Sequence, residues 1–121
     1  MPLTVHIVLS CRTIGDIREA LGGLVTFNMI HLSKHATPLL YEAGVRYISQ
    51  PPPERFKTIP FVIAAGGGDC DQLCGWRIAE LRVRGERATE KITRRGRLWH
   101  VQVVRGNGVI EDPSVRLGMR G

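Results

Sequence analysis

A cysteine set at a helix start, behind three glycines, is the most chemically suggestive feature of the chain. Gly66-Gly67-Gly68-Asp69-Cys70-Asp71 leads into Gln72-Leu73-Cys74-Gly75-Trp76-Arg77-Ile78-Ala79-Glu80-Leu81-Arg82. Cys70, Leu73, Cys74, Ile78 and Leu81 fall on one face at helical spacing. Asp69 suits the N-cap, which puts Cys70 in the first turn. A thiol there feels the positive end of the helix dipole and unpaired N–H groups. Both favour the thiolate, the attacking species. A nearby imidazole would lower the thiol pKa further. Asp69 and Asp71 act in the opposite direction if they stay close and unpaired. The glycines let the backbone approach closely and take unusual dihedrals. For an isolated cysteine the ordinary role is a small buried residue, so the reading depends on what stands near Cys70.

The rest of this half supplies candidates. Gly85 suits a helix C′ position. Ala88 to Thr93 can form a strand, solvated at Glu90 and Lys91. Leu98-Trp99-His100-Val101-Gln102-Val103-Val104 reads as a second strand, Gly106-Asn107-Gly108 as a turn, and Val109-Ile110-Glu111-Asp112 as a third strand ended by Pro113. Helix and meander together predict an α+β fold.

The first half is less telling. Leu3, Val5, Ile7 and Leu9 alternate with Thr4, His6 and Ser10, as in a strand with one buried face. Thr13-Ile14-Gly15-Asp16 resembles a capping box. Ile17, Ala20, Leu21 and Leu24 follow at helical spacing, with a break expected at Gly22-Gly23. Thr37-Pro38 suits a second helix start, closed by Gly44. Val45, Tyr47 and Ile48 suit a short extended piece. Pro51-Pro52-Pro53 opens an expected loop to about Pro60.

Size and composition bound the function. The 121 residues suit one domain spanning 1–121. With 43% apolar residues the chain can bury a core and does not read as disordered. No apolar run approaches the ~20 residues needed to span a bilayer, and the N-terminus lacks a signal-peptide pattern. No membrane partner is expected, and the expected location is the cytoplasm or a particle assembled there. Cys11, Cys70 and Cys74 make an odd count, against a disulfide framework. Cys70 and Cys74 sit four apart, as do His31 and His35, but neither pair is joined by the further ligands that zinc needs. No metal and no cofactor are expected.

The net charge of +6 is concentrated late, at Arg82, Arg84, Arg87, Lys91, Arg94, Arg95, Arg97 and Arg105. Such a stretch is either a patch for nucleic acid or a solvated face. No nucleic-acid module signature accompanies it and aromatics are only 6%, so the solvated face is favoured.

The ordered set of motifs resembles the transglutaminase-like superfamily, whose core layout papain-like peptidases share. Gly68-Asp69-Cys70-Asp71 is similar to that family's Gly-Asp-Cys-acid motif, and Ala79-Glu80-Leu81-Arg82 with Gly85 to its helix end. His100-Val101-Gln102-Val103 stands where the family has its histidine strand, and Asp112-Pro113-Ser114 where it has Asp-Pro-Thr or Asp-Pro-Ser. The resemblance covers Tyr47 to Ser114. It implies a papain/transglutaminase-like core, with the cysteine helix packed on an antiparallel sheet of three or four strands. It implies Cys70 as nucleophile, His100 as base and Asp112 as orienter. The imidazole takes the thiol proton or pairs with the thiolate, and the carboxylate fixes its tautomer and stabilises its cation. The implied reaction is acyl transfer on an amide, with a thioester formed on Cys70 and resolved by water or an amine. The backbone N–H of Cys70 is a candidate oxyanion donor, with Tyr47 and Gln50 as candidate side chains.

His100 and Asp112 can bond only from one sheet face. A loop of three or five residues gives that register, and a loop of two does not. An odd loop, such as Gly106-Asn107-Gly108, is expected. Taken singly, His100 also reads as a strand histidine bonded to backbone or water, and Asp112 as a cap before Pro113. Trp76, Trp99, Tyr41, Tyr47 and Cys74 read as packing residues.

Three functions follow. The first is a cysteine peptidase, amidase or transglutaminase acting on a protein or peptide. The second is a non-catalytic structural or assembly protein that contacts virion proteins, since small proteins with this look occur in bacteriophage genomes. The third, a nucleic-acid-contacting module, ranks last.

Overall fold

The computed structural model describes residues 5–9, 11–96 and 98–120. The expectations that fall on residues 1–4, Ser10 and Arg97 lie outside the described residues. The chain runs β1 (His6–Leu9), α1 (Ile14–Lys34), a 3-10 turn (Leu40–Glu42), β2 (Arg46–Tyr47), β3 (Glu54–Lys57), α2 (Ile59–Ala65), β4 (Gly67–Gly68), α3 (Cys70–Val83), β5 (Ala88–Arg95), β6 (Leu98–Arg105), β7 (Ile110–Glu111) and α4 (Pro113–Arg116). It is a mixed α+β fold. β5, β6 and β7 form an antiparallel three-stranded sheet, β1 pairs with β3, and β2 pairs in parallel with β4.

Local chemistry accounts for most of these elements. Thr13 caps α1 in a capping box with Asp16, as expected. The expected break at Gly22-Gly23 does not occur, and α1 runs through both glycines. A glycine costs a helix only about 1 kcal/mol, and burial of Ile17, Leu21, Leu24 and Val25 on either side outweighs that. No α-helix starts at Thr37-Pro38. Thr37 instead hydrogen-bonds the His35 carbonyl, and only the 3-10 turn forms. The expected loop from Pro51 to Pro60 is also wrong in part. Phe56, 1% exposed, anchors β3 against β1, and Pro60 sits in the first turn of α2, where a missing N–H is tolerated.

α3 is the centre of the molecule. On one side it packs with α1 and the sheet around Leu21, Leu24, Cys74, Ile78, Val101 and Val103. On the other it packs through Leu73 and Trp76 onto Leu40, Val45, Ile59 and Val62. Its polar residues are therefore buried too: Asp71, Gln72, Arg77 and Glu80 are all at most 6% exposed. A single apolar face read from the sequence understates this. Gln72, Arg77 and Glu80 survive burial because they find partners. Arg77 bridges Glu80 at 2.7 Å and Glu111 at 2.6 Å, Tyr41 donates to Glu111 at 2.5 Å, and Glu80 accepts from the Leu40 N–H at 3.0 Å.

Where α3 crosses α1 the helices nearly touch. A Cβ on Gly75 would lie 2.6 Å from Leu24 Cδ2 and 3.0 Å from its Cγ. Leu24 is 1% exposed and cannot swing away. Gly75→Val is therefore expected to lower stability by about 1–3 kcal/mol, read as a lower urea midpoint with an unchanged slope. Unchanged stability would mean that the two helices are free to move apart.

Much of the late basic stretch is tied into the fold. Arg82 donates to the Ala88 carbonyl, Arg84 pairs with Glu86, Arg105 pairs with Glu86 and Glu111, and Arg94 lies over the Trp99 ring at 4.9 Å. Among the described residues no helix is long and apolar enough to cross a membrane.

Candidate active site

The approach to Cys70 is built from glycine. Gly66 takes a left-handed φ of +79° as it closes α2. A Cβ on Gly67 would sit 2.0 Å from the Arg46 carbonyl, and one on Gly68 2.3 Å from Gln72 Oε1. Only glycine lets β4 lie against β2 there. Asp69 then caps α3 in a second capping box, with Gln72 returning its side chain to the Asp69 N–H. Cys70 occupies the first helical position, as the sequence predicts.

The hairpin also has the expected form. Val104 pairs with Ile110 and Val103 with Glu111, and the Arg105 N–H donates to the Val109 carbonyl. The loop is thus Gly106-Asn107-Gly108, with Gly108 at φ +85°. That odd length places Asp112 opposite Gln102, on the face that also carries His100. His100 Nε2 meets Asp112 Oδ2 at 2.7 Å, and Gln102 Nε2 donates to the same oxygen at 3.1 Å. Asp112 Oδ1 accepts from the Val115 N–H at 3.2 Å and caps α4. The local capping role and the pairing with histidine coexist, one on each carboxylate oxygen. Burial pushes the Asp112 carboxyl up, but the bonds from His100, the Val115 N–H and Gln102 outweigh it and hold it below the ordinary range. An ionised Asp112 accepts, so Nε2 carries the proton and Nδ1 carries the free lone pair.

The register also locates the thiol. The Arg105 N–H points to β7, and main-chain groups alternate along a strand. Trp99, Val101 and Val103 therefore present theirs to that same edge. β7 covers only its far end, so the groups of Trp99 and Val101 face α3. Cys70 Sγ lies 3.7 Å from the Trp99 carbonyl, and Cys74 Sγ 3.2 Å from that of Val101. Cys70 thus sits against the main chain on either side of His100. The imidazole itself is not among its hydrogen-bond partners in the described residues, which are the Trp99 carbonyl, Asp71 Oδ1 at 3.9 Å and the main-chain N–H groups of Val101 and Asp71. His100 and Asp112 are brought into contact; Cys70 lies beside them, unbonded to the ring.

Burial pushes the Cys70 thiol well up, and the Asp71 and Asp69 carboxylates push it further; a bond from the Val101 N–H works the other way but is weaker. The resting group is a protonated thiol. The helix dipole favours the thiolate, yet burial and the flanking acids win. Burial likewise raises Cys74, and raises Asp71 together with the neighbouring charge of Asp69. Asp69 is pushed up to about 6, chiefly by burial.

Asp69 therefore binds a proton more tightly in the folded state than in the unfolded one. Its contribution to stability is harmed as pH rises from its ordinary value near 4 toward about 6. Glu111 and Asp112, held low, do the reverse and lose stability as pH falls. Asp69→Asn keeps the cap, removes the Asp69 titration and eases the rise in Asp71 that the Asp69 charge helps to cause, an effect of the same sign. Urea titrations should show the variant gaining on the wild type between about pH 4 and pH 7. A constant difference would contradict the raised Asp69.

A cavity of about 100 Å³ opens beside Cys70, walled by Tyr47, Gln50, Pro51–Pro53, Leu98 and Trp99. Both residues singled out as candidate side-chain oxyanion donors line it. Gln50 is turned to Gln72, with 3.4 Å between their side chains. Gln102 escaped sequence reasoning; its one signal was its place two residues along the strand from His100, on the same face. His31 and His35 stack at 4.8 Å, and no cluster of His, Cys, Asp or Glu side chains among the described residues is placed to hold a metal ion.

No family model, curated protein or solved structure matches the chain.

Proposed function

We propose that this chain is a Cys-His-Asp acyl-transfer enzyme with a papain/transglutaminase-like core, acting on an amide bond of a protein or peptide. The carrying observation is the 2.7 Å bond from His100 Nε2 to Asp112, made on a strand whose main chain touches the Cys70 thiol. Because the resting thiol is protonated, His100 acts as a general base rather than as half of a standing ion pair. Nδ1 accepts the thiol proton as sulfur attacks the carbonyl carbon. Asp112 holds the ring tautomer and steadies the imidazolium. The proton then passes to the leaving amine, and water or a second amine resolves the thioester on Cys70. The Cys70 N–H, at the helix start where no intrahelical partner exists, suits the oxyanion.

A second reading rests on the missing thiol–imidazole bond and on the acids that keep the thiol neutral: a non-catalytic structural or assembly protein of a bacteriophage particle that reuses this core. A peptide vinyl sulfone separates the two. The enzyme reading expects labelling of Cys70 that is lost in His100→Ala. An intact protein that stays unlabelled, and instead assembles into rings or particles, overturns it.

A further inference from the structure

The cavity beside Cys70 is charged on one side only. Glu54, Asp69 and Asp71 line it, and no Lys, Arg or His does. None of the three carboxylates makes an ion pair among the described residues, whereas Glu80, Glu86, Glu90 and Glu111 all do. Asp71 is the sharpest case. It is 3% exposed, lines the cavity, and among the described residues its carboxylate accepts only the long hydrogen bond from the Cys70 thiol. A buried carboxylate without a cation or a strong donor is costly. Tyr47 and Trp99 add aromatic faces to the wall, which suits a cation and its apolar stem.

We propose that this cavity is a subsite for an ammonium group on an alkyl chain, carried by the acyl substrate as a lysine-type side chain next to the bond that Cys70 attacks. The proposal rests on the acyl-transfer reading for the word substrate; the subsite itself is a matter of charge and room. The bound ammonium adds to Asp69 the close counter-charge that Lys57, beyond ion-pair distance, does not give, and it favours the ionised form of Asp71, which burial and the charge of Asp69 disfavour. It also weakens the push those two acids exert on the thiol, so that the right substrate readies its own nucleophile. A substrate with an acid or a neutral chain at that position leaves the thiol as it is.

Charged methanethiosulfonates test the subsite without turnover. The thiolate attacks the reagent's thioether-type sulfur, a mixed disulfide forms, and methanesulfinate leaves. The full chain carrying Cys11→Ser is treated with the aminoethyl or the sulfonatoethyl reagent, and Cys70 is followed by peptide mass spectrometry. The aminoethyl reagent is expected to react at least about tenfold faster, as carboxylates a few ångströms away would give. Asp71→Asn should shrink that preference, and Glu54→Gln, on a different element, should shrink it separately. Equal rates in the parent, or a preference unmoved by both variants, overturn the proposal. In a second arm, N-acetyl-lysine methylamide should protect Cys70 from iodoacetamide and N-acetyl-norleucine methylamide should not; equal protection overturns the proposal. None of these readouts uses His100, so the preference persists in His100→Ala even where the acyl-transfer reading fails.

Discussion

His100→Ala will slow acylation of Cys70 by about 10²- to 10⁴-fold, the usual worth of a positioned general base. The effect should be large here because the thiol has no other means of losing its proton near neutrality. Burial, Asp71 and Asp69 hold it in the neutral form, and a neutral thiol is a poor nucleophile. Asp112→Asn should fall in the same direction, since an amide does not hold the Nε2 proton as a carboxylate does. Gln102→Ala should cost less, because it removes one of three bonds to Asp112 and leaves the 2.7 Å contact with His100. The measurement is the burst of thioester on Cys70 from an activated ester, with Cys11 replaced. None of these side chains sits in the core, so the variants should melt close to the wild type. Equal bursts in wild type and His100→Ala would remove His100 from the chemistry.

Arg77→Ala is expected to cost about 3–5 kcal/mol of stability, because it strands two buried carboxylates at once. Glu80 and Glu111 are 5% and 7% exposed at the side chain, and Arg77 is 2.7 Å and 2.6 Å from them. Arg105 reaches Glu111 only at 3.4 Å, and it is drawn mainly toward Glu86. Removing Arg77 also strips a cation from the face of Tyr41, whose hydroxyl bonds Glu111. The 3-10 turn, α3 and β7 would then lose their common anchor, and β7 is what sets Asp112 in place. Chemical denaturation reads the loss. A cost under about 1 kcal/mol would show that the carboxylates are reached by solvent or simply protonated.

The half of the fold after Gly66 was legible because its signals are local. Glycines, the Asp69 cap, the alternation in β6 and the odd turn at Gly106-Asn107-Gly108 each act within a few residues. The hairpin register followed from loop length alone, and with it the shared face of His100 and Asp112. The first half carried its information in tertiary contacts. Gly22 and Gly23 look like a break until the buried flanks of α1 are known, and β3 hides behind three prolines until β1 is there to pair with it. The charge state of the thiol was the least legible. A helix start argues for a thiolate, and only the packing of α3 on all sides shows that burial prevails. The charge network of Arg77 was equally hidden, since residues 34 and 70 positions apart in sequence meet at Glu111.

Whether the imidazole serves the thiol is decided by the distance from Cys70 Sγ to His100 Nδ1 in the structure of the protein with Cys70 alkylated by a peptide vinyl sulfone. A general base at His100 requires about 3–4 Å, with Nε2 still on Asp112 and the ring turned toward sulfur. A ring that stays beyond about 6 Å, out of reach even through one water, would contradict it.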